Sequence, residues 1–247
     1  MAGVLVYMKN ITKAFGKVQA LDNVSIKIYE KEIVGLVGDN GAGKSTLIKI
    51  LSGALHADSG KIYFKDRPVS IENTRDAIQV GIETIYQDAA LVGQLSVARN
   101  LFLGREPVKK MGFFRKMDME YMKGESNKLL RNIGLKKIDP DSAIVSLSGG
   151  ERQSIAIARA MFFAAELIIL DEPTNNLGVQ ESQSVLNFVK STKESGHSSV
   201  FITHNIHHIY QVADRIIVLR HGEKVGDVLK RETSIDEITA LITGMRV

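Results

Sequence analysis

Residues 38–45 read Gly38-Asp39-Asn40-Gly41-Ala42-Gly43-Lys44-Ser45, directly after the apolar run Ile33 to Val37. This spacing is that of a loop that cradles phosphates between a strand and a helix. Glycines let the backbone curl until its N–H groups converge on phosphate oxygens. The helix that follows carries Leu47, Ile48 and Leu51 on one face, stops at Gly53, and aims its positive end at the same point. Lys44 supplies a full charge for the β- and γ-phosphates, and the Ser45 hydroxyl is a Mg²⁺ ligand type. A glycine turn before an ordinary helix is the plainer alternative. The strand before and the helix after favour a nucleotide site, formed by Gly38, Asn40, Gly41, Ala42, Gly43, Lys44, Ser45 and Thr46.

Farther along, Leu167-Ile168-Ile169-Leu170 is a continuous apolar run, as expected for a parallel strand buried on both faces. Asp171 ends it and Glu172 follows. A carboxylate there lies at the carboxyl edge of a parallel sheet, where such folds bind ligands. One acid suits a metal shell and the other a water to be polarised, although both could merely cap local structure. In Leu147-Ser148-Gly149-Gly150-Glu151, Ser148 and Glu151 form a capping box that starts a helix. Two glycines in a first helical turn are costly; they make sense where the backbone must approach something closely. That gives a second candidate anion site about a hundred residues from the first, and two chains arranged head to tail would use both.

The remaining pattern sets the architecture. Leu5 to Ile11, Leu21 to Ile28, Lys61 to Phe64 and Ile82 to Ile85 read as strands, and residues 96–163 as helical or irregular, with a helix from Met119 to Ile133. Strand and helix then alternate: Val179 to Lys193 is an amphipathic helix, Ser199 to Thr203 a strand, and His221-Gly222 joins two strands in a hairpin. Ser234-Ile235-Asp236-Glu237 caps a last helix. The expectation is an α/β fold: a phosphate-loop core with a mostly parallel sheet, an N-terminal antiparallel β part and an inserted helical subdomain. One domain fills 1–247, with 1–87 and 164–247 as its core and 88–163 as the insertion.

At 247 residues, with 44% hydrophobic and 24% charged residues, the chain is neither disordered nor fibrous. The absence of cysteine excludes disulfides, zinc–thiolate sites and a cysteine nucleophile. The net charge is +4, and the window from Gly104 to Lys116 carries all of it through Arg105, Lys109, Lys110, Arg115 and Lys116 against Glu106. No general basic field for nucleic acid exists. The most apolar stretch, Ile155 to Leu170, is shorter than a membrane span and carries Arg159 and Glu166. No secretory signal opens the chain, so a cytosolic protein is expected.

Together these segments resemble the nucleotide-binding subunit of an ATP-binding cassette (ABC) transporter. Leu147 to Glu151 is similar to that family's signature and Leu167 to Asp171 to its Walker B strand, with Glu172 in the place of the catalytic base. Gln87 in Ile85-Tyr86-Gln87-Asp88 matches the Q-loop glutamine, His204 in Ile202-Thr203-His204 the switch histidine, and Phe15 the aromatic that stacks on adenine. All elements occur in the family's order. The resemblance implies ATP and Mg²⁺ as cofactors, with Ser45, Gln87 and Asp171 serving the metal and Ser148 and Gly150 completing a partner's site. It implies a second ATPase subunit, a membrane permease that holds the chain at the inner face of the membrane, and no nucleic-acid partner. Residues 87–116 are then expected to dock the permease. The family's D-loop aspartate is replaced by Gly178, which places the usual contact across the dimer in question. Tyr86-Gln87-Asp88 and Asn100-Leu101-Phe102-Leu103-Gly104-Arg105-Glu106 resemble importers of ribose and fructose type, which work with a sugar-binding protein outside the membrane. An exporter ATPase and, in a different class, a soluble ATPase acting on nucleic acid are the alternatives.

Overall fold

A computed structural model describes residues 3–86, 91–112, 114–132, 135–163 and 165–245. Strands β1 (Val4–Phe15) and β2 (Val18–Tyr29) form a long antiparallel pair that turns at Gly16-Lys17. The chain then enters β3 (Ile33–Val37), the phosphate-type loop and helix α1 (Lys44–Leu51). Strands β4 (Ser59–Phe64) and β5 (Arg67–Val69) complete a four-stranded antiparallel sheet in the order β2-β1-β4-β5. Helix α2 (Thr74–Gln79) and strand β6 (Ile82–Ile85) lead into the insertion.

The insertion holds α3 (Val97–Leu101), a hairpin of β7 (Val108–Met111) and β8 (Phe114–Met117), α4 (Met119–Asn132) and α5 (Gly149–Phe162). The core resumes with β9 (Leu167–Asp171), α6 (Val179–Glu194), β10 (Ser198–Ile202), α7 (Ile206–Val212), β11 (Arg215–Arg220), β12 (Glu223–Leu229) and α8 (Ile235–Thr243).

The second sheet runs β12-β11-β3-β10-β9-β6, parallel except for its edge strand β12. Successive side chains of a strand point to opposite faces, so a strand apolar throughout must be covered twice. That is what the core shows. Ile33, Val37, Ile168, Leu170, Phe201, Ile216 and Val218 pack with residues of α5, α6, α7 and α8. Val34, Leu36, Ile169, Val200, Ile202, Ile217 and Leu219 pack with α1 and the antiparallel sheet. Because the strands are parallel, the carboxyl ends of β3, β9 and β10 meet at one edge, and residues 38–46, 172 and 203–204 leave from it. Among the described residues no helix is long and apolar enough to cross a membrane.

Two features depart from the sequence reading. The insertion contains a two-stranded hairpin where only helical or irregular structure was expected. The basic window is also not a uniform patch. Arg105 donates to Glu83 at 2.5 Å and stacks on the Phe163 ring at 4.3 Å, and Lys109 pairs with Asp118 at 2.9 Å. Helix α4 ends at Asn132; the expected last residue, Ile133, lies outside the described residues.

The two sheets are tied together on the side away from the loop by Arg215, only 7% exposed. Its guanidinium donates to Glu32 at 2.7 and 3.0 Å, to Asp227 at 2.5 Å and to the Lys27 carbonyl of β2. Burial alone would lower its pKa, but the hydrogen bond and charge of Glu32, with Asp227, hold it above its ordinary value. Removing one member of a buried ionic network strands the others. Arg215→Met is expected to cost about 3–5 kcal/mol in urea unfolding; a loss near zero would show that the network does not join the layers.

Candidate nucleotide site

The loop between β3 and α1 is built by backbone freedom. Gly38, Gly41 and Gly43 have φ of +150°, +81° and +102°. A Cβ on Gly38 would lie 2.2 Å from the Leu219 carbonyl oxygen, and one on Gly43 2.6 Å from that of Ala20. Ala42 is buried; its N–H donates to the Asp39 carbonyl and its own carbonyl accepts from Gly222. Asn40 and Gly41 stay exposed. Gly43 caps α1 without a side-chain bond, so the first amides of the helix are left for a ligand. Ser45 is exposed and Thr46 half-buried in the first turn.

Lys44 is 8% exposed, and its ammonium donates to the carbonyls of Gly38 (2.6 Å) and Asp39 (2.9 Å). Burial lowers its pKa, partly offset by the charges of Glu172, Asp39 and Asp171. At the end of β9, burial and the adjacent Glu172 raise the Asp171 carboxyl, while Lys44 and Lys49 oppose the shift. Lys44, Asp171 and Glu172 therefore act on one another electrostatically at the carboxyl edge of the sheet.

Glu172 has φ +50°, a strained value for a side chain of its kind, and its N–H is held by the Ile202 carbonyl at 2.9 Å. The carboxylate meets His204: the histidine's backbone N–H donates to Oε1 at 3.1 Å, and its Nδ1 lies 3.1 Å from both oxygens. The sequence motifs give His208 no role. Its Nδ1 in fact lies 3.0 Å from Thr174 Oγ1, two residues beyond Glu172, and so braces that loop. No local pattern in the sequence signals it, since its partner lies 34 residues away.

Ser148 caps α5 through a complete capping box with Glu151. The two glycines do serve close approach, although the neighbour is α6. A Cβ on Gly149 would lie 2.7 Å from Leu177 Cδ2, and one on Gly150 3.0 Å from Glu181 Cβ. Glu181 accepts from the N–H groups of Gly178 (3.2 Å) and Gly150 (3.5 Å), which lower its pKa. Ser148 and Gly150 thus sit beside Leu177 and Glu181. Phe15, half exposed, ends β1 where it pairs with Val18, two residues before the Ala20 and Leu21 atoms that abut Gly43. Gln87 lies outside the described residues.

A cavity of about 230 Å³ between Gly38–Asn40 and Thr203–His204 marks the carboxyl edge. A larger groove, about 880 Å³, lies where β3 and β11 begin, lined by Lys31, Ile33 and Asp214. Size alone would point to the wrong end of the sheet.

A glycine loop around a desolvated lysine, at this edge of a parallel sheet, defines a phosphate-loop nucleotide-binding protein. The chain belongs to the ABC transporter family, whose domain matches residues 21–175. It is similar to the xylose/arabinose import ATP-binding protein of Sulfolobus acidocaldarius, at 44% identity over 97% of this chain and 94% of that one. It is 40% identical to the ribose import ATP-binding protein of Clostridium tetani, over 97% of this chain and 47% of that one; the chain spans about half that relative's length. Among solved structures, an ATP-binding cassette of an ABC transporter in its ADP conformation superposes with a TM-score of 0.82, at 25% identity, covering 97% of this chain and 95% of that one. The chain is accordingly an ATP-binding, ATP-hydrolysing transport subunit.

Gly178 has φ −65° and ψ 167°, extended backbone open to any residue, and a Cβ there would touch only Glu181 Oε2 at 3.8 Å. A need for positive φ does not explain the glycine. Gly178→Asp is therefore expected to fold with its melting temperature unchanged within about 2 °C and to strengthen ATP-dependent dimerisation measured by light scattering. Unchanged or weaker association would show that an acid here adds nothing across the interface.

Proposed function

We propose that the chain drives import of a sugar by hydrolysing ATP, paired with a second cassette beneath a membrane permease and supplied by a sugar-binding protein on the far side. Sugar import is carried over from the xylose/arabinose and ribose relatives, matched over almost the whole of this chain. The working location is the cytoplasmic face of the membrane, reached through the permease.

The observation that carries hydrolysis is the Glu172–His204 contact at the carboxyl edge. Glu172 accepts a proton from the attacking water. His204, two residues beyond the end of β10, contacts that carboxylate and turns to the γ-phosphate when ATP fills the loop. Lys44 releases the carbonyls of Gly38 and Asp39 for phosphate oxygens, which are better partners for an ammonium ion. The exposed Ser45 hydroxyl and the Asp171 carboxylate offer the hard oxygen donors that Mg²⁺ takes, and Gln87 is assigned to the same shell. Among the described residues no group of three or more acids or histidines could hold a metal ion. When bound, Mg²⁺ would neutralise charge on the phosphates. Phe15 stacks on the adenine. Ser148 and Gly150 serve the partner chain's nucleotide, since in their own chain they face α6.

Glu172→Gln keeps the shape of the side chain and removes its basicity. Steady-state hydrolysis is expected to fall by about 10²–10⁴, with ATP still bound and the ATP-dependent dimer longer-lived. Lys44→Ala is expected to lose ATP binding itself, measured by titration calorimetry. A Glu172→Gln protein that turned over near the wild-type rate would refute the base assignment.

A further inference from the structure

The β7–β8 hairpin carries a pattern that the nucleotide chemistry does not use. Its register sets Lys109 opposite Lys116 and Lys110 opposite Arg115. Like charges directly opposite destabilise an antiparallel pair, and an isolated two-stranded hairpin is marginal in water to begin with. Only one of the four is neutralised within the described residues: Lys109 pairs with Asp118 and Glu120. Lys110, Arg115 and Lys116 are exposed, and among the described residues none has an acidic partner. Strand alternation puts Lys110 and Arg115 on one face and Lys116 with Phe114 on the other. Phe114 is 79% exposed and Val108 54%, both large apolar groups left in water beside uncompensated cations.

The hairpin is anchored to the core at its base, where the half-buried Met117 of β8 packs against it. Asp118 closes its base by donating its N–H to the Pro107 carbonyl, and its neighbour in the basic window, Arg105, turns inward to Glu83 and Phe163. Folding stability does not call for this arrangement, because an alternating-sign hairpin would be more stable. A surface that supplies negative charge to both faces and an apolar layer to the ring would remove both penalties. An anionic phospholipid leaflet has these properties, with phosphates at the depth of the lysine and arginine head groups and acyl chain beneath for the aromatic ring. A protein groove could offer the charges, but it would have to wrap a two-faced ribbon.

We propose that the β7–β8 hairpin is a lipid-contacting element that reads anionic phospholipid headgroups through Lys110, Arg115 and Lys116 and inserts Phe114 at the interface. The proposal is independent of which solute is transported. It gives the cassette a direct hold on the membrane in addition to its permease.

The test is flotation of the whole chain with vesicles of phosphatidylcholine alone or mixed with phosphatidylglycerol, at low and high salt. Binding is expected for the anionic vesicles only and is expected to fall with salt. Each cation near the surface is worth about five-fold in partitioning, so Lys110→Glu/Arg115→Glu/Lys116→Glu is expected to lose well over ten-fold. Phe114→Ser, which leaves the charge untouched, is expected to lose several-fold, with the melting temperature and ATPase rate of both variants unchanged. Equal binding to neutral and anionic vesicles, or no binding to either, overturns the proposal. So does full retention by the triple variant, or vesicle binding unchanged while assembly with the permease in detergent is lost; the last result assigns the hairpin to protein docking.

Discussion

The site depends on an ammonium group held out of water. Lys44 lies almost fully buried and is held by two carbonyl oxygens of the loop that precedes it. Carbonyl dipoles are weak compensation for a desolvated cation. The loop can aim them only because Gly38 and Gly43 adopt backbone angles and contacts that exclude a Cβ. The acid that ends β9 responds to the same charge, since Lys44, with Lys49, opposes the upward push on the Asp171 carboxyl. The parallel register of β3, β10 and β9 is therefore an electrostatic requirement as well as a packing one: it sets the lysine, both acids and His204 on one edge.

The second glycine turn, at Ser148–Gly150, obeys different constraints. The start of α5 is packed against the start of α6 so closely that Gly149 and Gly150 have no room for side chains. Glu181 reaches from α6 to the N–H groups at both helix ends and supplies the negative charge that helix N-termini favour. Ser148 and Gly150 are thus rigidly placed against residues of the segment that follows Glu172, within their own chain. A turn fixed in this way is one that the proposed head-to-tail pair of chains would use twice.

Much of this was legible in the sequence because it is local. The glycine spacing at 38–43, the all-apolar run before Asp171 and the box at Ser148 and Glu151 are each set by backbone geometry or burial within a few residues. Ile33–Val37 and Ile82–Ile85 form over the predicted residues for that reason. What escaped is long-range or weakly patterned. The bracing of Thr174 by His208 joins residues 34 positions apart. The inward turn of Arg105 depends on Glu83 and Phe163, which no local pattern connects to it. The β7–β8 hairpin hid because its strands carry paired lysines and arginine where alternating apolar residues would have announced it.

The central claim is that a complete nucleotide site takes its loop from one chain and its Ser148–Gly150 turn from another. Mixing two inactive variants tests it most directly. Lys44→Ala lacks a working loop and Ser148→Arg a working turn, so neither forms an intact site with itself. In the mixed dimer, the loop of the second variant faces the turn of the first, and one intact site is restored. The account predicts that ATP hydrolysis reappears on mixing and is greatest near equal proportions. If each chain completed its own site, every mixture would stay as inactive as its components, and that result would contradict the account.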